Sequence, residues 1–168
     1  MANFNTKSFL KHDHYMTPKS AWENIKHLIP KGRLYDPFYG DGQSGKDLKD
    51  ITNQDVFHEP IDFFDDEIRP EYDCCITNFP FSQSKQVFTK LVELDKPFIA
   101  ISPISKVCTQ YFRKLFKNKI QIIIPKKRIH FNKLIDGEKP DDCKNSCCNF
   151  DCCYVCFKID LPNDITWI

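Results

Sequence analysis

Short apolar runs suited to strands alternate with segments of helical spacing along most of this chain. That alternation limits the fold more than any other feature. Strands that alternate with helices assemble as an α/β sheet covered on both faces. The readable strands are 33–35, 55–59, 72–77, 97–104, 120–124 and 152–159. The run Ile120-Gln121-Ile122-Ile123-Ile124 is nearly all β-branched and predicts a buried strand. Ala21, Trp22, Ile25, Leu28 and Ile29 fall at helical spacing, with Thr17 as expected N-cap, Pro18 at the first helical position and Pro30-Lys31-Gly32 as the stop. Further helices are expected over 43–49, 84–94 and 108–116, while 61–64 reads as a third apolar element or a turn.

Composition sets the outer limits. With 168 residues, 41% hydrophobic and 28% charged, the chain fits a single globular core over 13–168 preceded by a loosely held arm over 1–12. No apolar run reaches the roughly 20 residues of a membrane span, and the first residues lack the apolar stretch of a secretory signal. An intracellular protein is therefore expected, cytoplasmic or nuclear. The formal net charge of +1 is uninformative, but its distribution is not. Acids crowd into 62–71, whereas 114–133 holds seven Lys or Arg and no acid. Nine cysteines, an odd count with Cys74 beside Cys75 and Cys108 alone, read as reduced small hydrophobes.

Four segments carry chemistry. Asp36-Pro37-Phe38-Tyr39-Gly40-Asp41-Gly42 lies between a strand and a helix, where ligands of open α/β sheets bind. Its glycines allow a tight turn and close backbone approach, though an ordinary Gly-rich turn has the same pattern. It is neither G-x-G-x-x-G nor a phosphate loop, which disfavours a diphosphate cofactor. Asn78-Phe79-Pro80-Phe81-Ser82 ends the 72–77 strand. The Asn78 side-chain oxygen and the Phe79 carbonyl can accept from one exocyclic amine and aim its lone pair, with Phe81 stacking on a base. The same residues also fit a helix-capping turn with two core phenylalanines.

In the third segment, Lys126, Lys127, Arg128, His130 and Lys133 can neutralise phosphates and touch sugar or base, or form a solvated charged turn. The fourth is the cysteine cluster, in which Cys143, Cys147, Cys153 and Cys156 loosely match zinc-ligand spacing. Cysteines packed in a strand are the alternative, and no metal is expected.

The order Tyr15-Met16-Thr17-Pro18, Asp36 to Gly42, and Asn78-Phe79-Pro80-Phe81 resembles the class I S-adenosylmethionine-dependent N6-adenine methyltransferases, in particular the compact phage and viral type. The likeness covers about 13–160. It implies a Rossmann-like class I methyltransferase fold, mostly parallel with a final antiparallel strand, and methylation of adenine N6 in DNA or RNA. By that likeness Tyr15, Thr17, Asp36, Phe38, Gly40 and Gly42 hold the methionine end of S-adenosylmethionine. Glu59, or its rival His58, takes the ribose hydroxyls, and Asp62 and Phe63 take the adenine. Asn78, Phe79, Pro80 and Phe81 form the acceptor site, and the compact enzymes carry a stretch similar to Pro125–Phe131.

The chain departs from the family at Phe79, where proline is usual, and at Tyr39, where a small residue is frequent. With no separate recognition domain, specificity is expected from 125–150, a recognition subunit or a homodimer. Two other functions fit the same motifs: a catalytically degenerate nucleic-acid-binding subunit, and a protein glutamine N-methyltransferase.

Overall fold

A computed structural model describes residues 13, 15–117, 119–133 and 150–168. The arm expected over 1–12, most of 125–150, and Cys143 and Cys147 lie outside these residues. The elements are β1 (Tyr15–Met16), α1 (Lys19–Ile25), β2 (Leu34–Tyr35), α2 (Gln43–Thr52), β3 (Val56–Phe57), β4 (Cys74–Asn78), α3 (Ser84–Glu93), β5 (Phe98–Pro103), α4 (Ile104–Val107), α5 (Gln110–Phe116), β6 (Gln121–Ile124), β7 (Asn132–Lys133), β8 (Cys152–Phe157) and β9 (Ile165–Trp167).

Seven strands form one sheet in the order β3-β2-β4-β5-β8-β6-β9. Every neighbouring pair is parallel except those of β8, which runs antiparallel between β5 and β6. This is a Rossmann-like α/β arrangement, mostly parallel as the resemblance implies. The antiparallel strand is not the last, however, because β9 follows it and pairs parallel with β6. From the centre, β2-α2-β3 steps one way and β4-α3-β5 the other. Right-handed crossovers in opposite directions put α2 and α3 on opposite faces.

Each face is filled by residues at the predicted periods. On one, Trp22 and Ile25 of α1 meet Leu48 and Ile51 of α2, and the Tyr154 hydroxyl donates to the Ala21 carbonyl at 2.6 Å. On the other, Phe88, Phe98, Phe112, Phe116 and Phe157 form an aromatic core, with Phe98 stacked on Phe157 at 5.4 Å.

Several expectations are corrected. Pro18 occupies the N-cap position of α1 with no side-chain cap, and Thr17 is buried instead of capping. The helix tightens into a 3-10 turn at Lys26–Leu28. The helix expected over 108–116 begins only at Gln110, as α5, and the short α4 precedes it from Ile104, the last residue read as strand. Of the two readings of 61–64, the structure has the turn. In β6 only Ile123 is fully buried, because the strand lies next to the β9 edge, where Trp167 is 77% exposed. The two-residue pair β1–β7 lies below the window in which periodicity can be read. No helix among the described residues is long and apolar enough to cross a membrane.

Candidate active site

Strand order reverses between β2 and β4, and ligands of open α/β sheets bind beyond the carboxyl ends of strands at such a point. A cavity of about 740 Å³ opens there, within the size range of small-molecule sites. It is lined by the turn after β2, by β1, by the 60–64 turn, and by the segment from Asn78 into α3.

Asp36 is the buried polar centre, only 1% exposed, because β2 ends one residue earlier and sends this side chain between the strands. Thr77 donates to one carboxylate oxygen at 2.8 Å and Ser44 to the other at 2.7 Å. Trp22 donates to Ser44 at 3.1 Å, so α1 and α2 both brace the group. Burial pushes the Asp36 carboxyl above the ordinary carboxylate range, while the His58 ring, the two hydroxyls and the Phe38 amide pull it back. Two neutral hydroxyl donors leave lone pairs for a cationic ligand group.

The turn itself is held by side chains outside the expected set. Gly40 has φ 57°, and a Cβ there would lie 2.7 Å from the Met16 sulfur. Met16 thus lines the cavity through room that only glycine leaves. Gly42 does not line it. Its φ of 75° starts α2, and a Cβ would meet the Tyr39 hydroxyl at 2.7 Å. Tyr39 stacks on His58 at 5.0 Å, which explains how a bulky residue fits in this loop. His58 lies behind the loop, its Nδ1 2.9 Å from the Asp36 carbonyl oxygen, and does not line the cavity. Glu59 is exposed and does not line it either. Neither ribose candidate reaches the cavity in this structure.

The facing wall comes from 60–64. Phe63 is buried against Phe38, ring centroids 5.2 Å apart, and Asp62 is exposed on the wall while accepting from the Phe64 amide at 2.9 Å. Lys90 of α3 ties the turn down through Asp66 at 2.6 Å. Tyr15, Thr17, Asp36, Phe38, Gly40, Asp62 and Phe63 are all brought to one cavity.

At the other end, the Asn78 amide nitrogen donates to the Tyr15 carbonyl at 3.0 Å. That carbonyl can only accept, so the amide has one orientation and its oxygen points away. Asn78 Oδ1 is buried with no partner among the described residues. Phe79 and Pro80 line the cavity, and the Phe79 ring is anchored edge-on against Phe88 at 5.0 Å. Packing thus fixes the backbone that proline fixes elsewhere.

Phe81 departs from expectation. It is 2% exposed, sits among Tyr15, Phe131 and Phe150, and does not line the cavity. A stacking role for it does not fit this structure. Asp13, Ser44, Gln83 and Gln86, which the motifs did not mark, do line the cavity. Only their nearness to the motifs, Asp13 two residues before Tyr15 and the glutamines just past Phe81, could have flagged them.

Lys126, Lys127 and His130 are exposed, alternating with buried Ile129 and Phe131. Phe131 packs on Tyr15 at 5.6 Å, which sets the basic segment beside the Asn78 end of the cavity. Arg128 is exposed and paired with Asp151 at 2.7 Å. Lys133 lies in β7, opposite Tyr15 of β1.

Of the two readings of the cysteine cluster, zinc ligation does not fit Cys153 and Cys156. Cys153 and Cys156 are buried in β8 three residues apart, so they face opposite sides of the sheet and cannot share one ion. Burial pushes the Cys153 thiol up to about 12. No group of metal-ligating side chains occurs among the described residues.

No family model and no curated protein matches the chain. Among solved structures, it is similar to a dimethyladenosine transferase from Plasmodium falciparum, at 12% identity and TM-score 0.48, over 86% of this chain and 62% of that one. It is also similar to a protein assigned to the class I S-adenosylmethionine-dependent methyltransferases from Listeria monocytogenes, at 14% identity and TM-score 0.49, over 98% of this chain and 73% of that one. The chain thus spans less than two thirds of the first of these.

Proposed function

We propose that this protein is an S-adenosylmethionine-dependent methyltransferase that methylates the exocyclic N6 amine of adenine in DNA or RNA. The observation that carries the reading is the unpartnered Asn78 Oδ1, buried at one end of a cavity whose other end holds a buried carboxylate. A buried acceptor with no donor costs free energy, about 1–3 kcal/mol, that a ligand N–H recovers.

The residues fit the cofactor by chemistry. Asp36 offers acceptor capacity to an ammonium group, Phe38 and Phe63 offer apolar faces to a heterocycle, and Asp62 offers an acceptor to an amine at the rim. Bound there, S-adenosylmethionine supplies an electrophilic methyl group on a sulfonium. Asn78 Oδ1 takes one N–H of the acceptor amine, and the Phe79 carbonyl is the natural partner for the second. Two such acceptors turn the nitrogen lone pair toward the cofactor end, so the chain contributes mainly orientation. The proton that nitrogen sheds passes to water. The target base enters flipped out or single-stranded, its phosphates tracked by Lys126, Lys127 and His130.

Asn78→Ala separates the two ends of the cavity. It should keep the calorimetric affinity for S-adenosylmethionine within about twofold while methyl transfer falls about a hundredfold. Loss of cofactor binding with transfer lost in proportion would move Asn78 to the cofactor side and contradict the reading.

A further inference from the structure

Asparagine and aspartate are nearly the same shape and differ in that the amide has donors where the carboxylate has only acceptors. The surroundings of Asn78 in this chain do not treat the two alike. Its Nδ2 meets the Tyr15 carbonyl at 3.0 Å, and that oxygen belongs to β1, whose position is fixed from three sides. Tyr15 and Met16 pair with Lys133 and Asn132 of β7. The Tyr15 ring is held by Phe81, Phe131 and Phe150. Met16 fills the space over Gly40. The carbonyl therefore cannot easily turn away from position 78. An amide presents a donor to it and an acceptor to the cavity. A carboxylate presents two acceptors, one of them directed at the Tyr15 oxygen.

We infer that the Tyr15 carbonyl acts as a positioning group that makes the amide obligatory at position 78, so that the site takes only acceptors bringing their own N–H to Asn78 Oδ1. An orphan neutral amide oxygen offers that group a hydrogen bond but no countercharge. This rests on the methyltransferase reading for the identity of the substrate, but not for the orientation of the amide. A carboxyl group placed at 78 can satisfy the Tyr15 oxygen only by carrying a proton, since the protonated acid has an O–H to donate. The other titratable groups around this end are Asp36 behind Thr77, Asp13 on Ser82, Lys106 near Asp13, and the Tyr15 phenol. All of them are present in the unsubstituted chain, which serves as the control for their titration.

The test is Asn78→Asp, followed in two ways. NMR of the introduced carboxyl carbon against pH should show it protonated well above the ordinary carboxylate range. In parallel, transfer to adenosine-containing oligonucleotides should be about a hundredfold below the unsubstituted enzyme at neutral pH, and should recover as pH falls through that titration. The unsubstituted enzyme should show no matching recovery. An ordinary titration of the introduced group, or full N78D activity at neutral pH, would overturn the inference. In the unsubstituted protein, one Asn78 amide proton should exchange slowly and couple across a hydrogen bond to the Tyr15 carbonyl carbon. Absence of that coupling would also overturn it, and this measurement needs no folded variant. If the unsubstituted protein methylates no adenine, the substrate reading fails, whereas the titration and the coupling still decide the role of Tyr15.

Discussion

Two side chains, Asp36 and Asn78, set the chemistry at opposite ends of one cavity. Asp36 is a buried carboxyl held by Ser44 and Thr77, and Asn78 is an amide with one satisfied and one waiting atom. Because burial raises the Asp36 carboxyl above its unfolded value, the folded chain retains a proton that the unfolded chain has lost. Its contribution to stability is present below the unfolded value and is lost as pH rises through the window up to the folded value. Asp36→Asn should remove that pH dependence in urea unfolding while leaving stability unchanged or raised by about 1 kcal/mol. It should also abolish cofactor binding, and a loss of stability with binding intact would contradict the assignment. Phe79 sharpens the point. Restoring the usual proline with Phe79→Pro empties a buried aromatic site, and should cost about 3–5 kcal/mol by urea unfolding. A variant as stable as the parent would show that the Phe79 ring does not hold this turn.

At the scale of elements, the alternation of strand and helix was legible because buried strands and amphipathic helices have distinct periods. The turn Asp36–Gly42 and the Asn78 segment were legible because their chemistry is local in sequence. What escaped is what depends on contacts far along the chain. β1 and β7 are two residues each, and their pairing brings the basic segment against Tyr15. The fate of Phe81 was likewise invisible, since Tyr15, Phe131 and Phe150 enclose it from distant parts of the sequence. Gly42 read as a ligand contact, yet it makes room for Tyr39, and Glu59 ended outside the cavity. Lys126→Glu with Lys127→Glu should weaken binding to oligonucleotides and reduce the salt dependence of log K by about 2, one for each lost phosphate contact. Cofactor affinity should stay within about twofold. An unchanged salt slope would place the nucleic acid elsewhere.

For the whole molecule, the sheet places its reversal point under the cavity, the acidic 62–66 turn on one side and the basic 126–130 segment beside the other end. The Asp36 and Asn78 ends of the cavity are thus built on different strands, β2 and β4, joined by the Thr77–Asp36 hydrogen bond. A cofactor that binds the native chain stabilises it by mass action, so S-adenosylmethionine at about 100 times its Kd should add about 2.7 kcal/mol to unfolding. Binding alone would still be compatible with a degenerate subunit, so the direct test is transfer. The protein, incubated with methyl-labelled S-adenosylmethionine and mixed DNA and RNA, is followed by digestion to nucleosides and mass spectrometry. The prediction is label in N6-methyladenosine or its deoxy form, and its loss with Asn78→Ala. Cofactor binding with no methylated adenine in any nucleic acid would contradict the account.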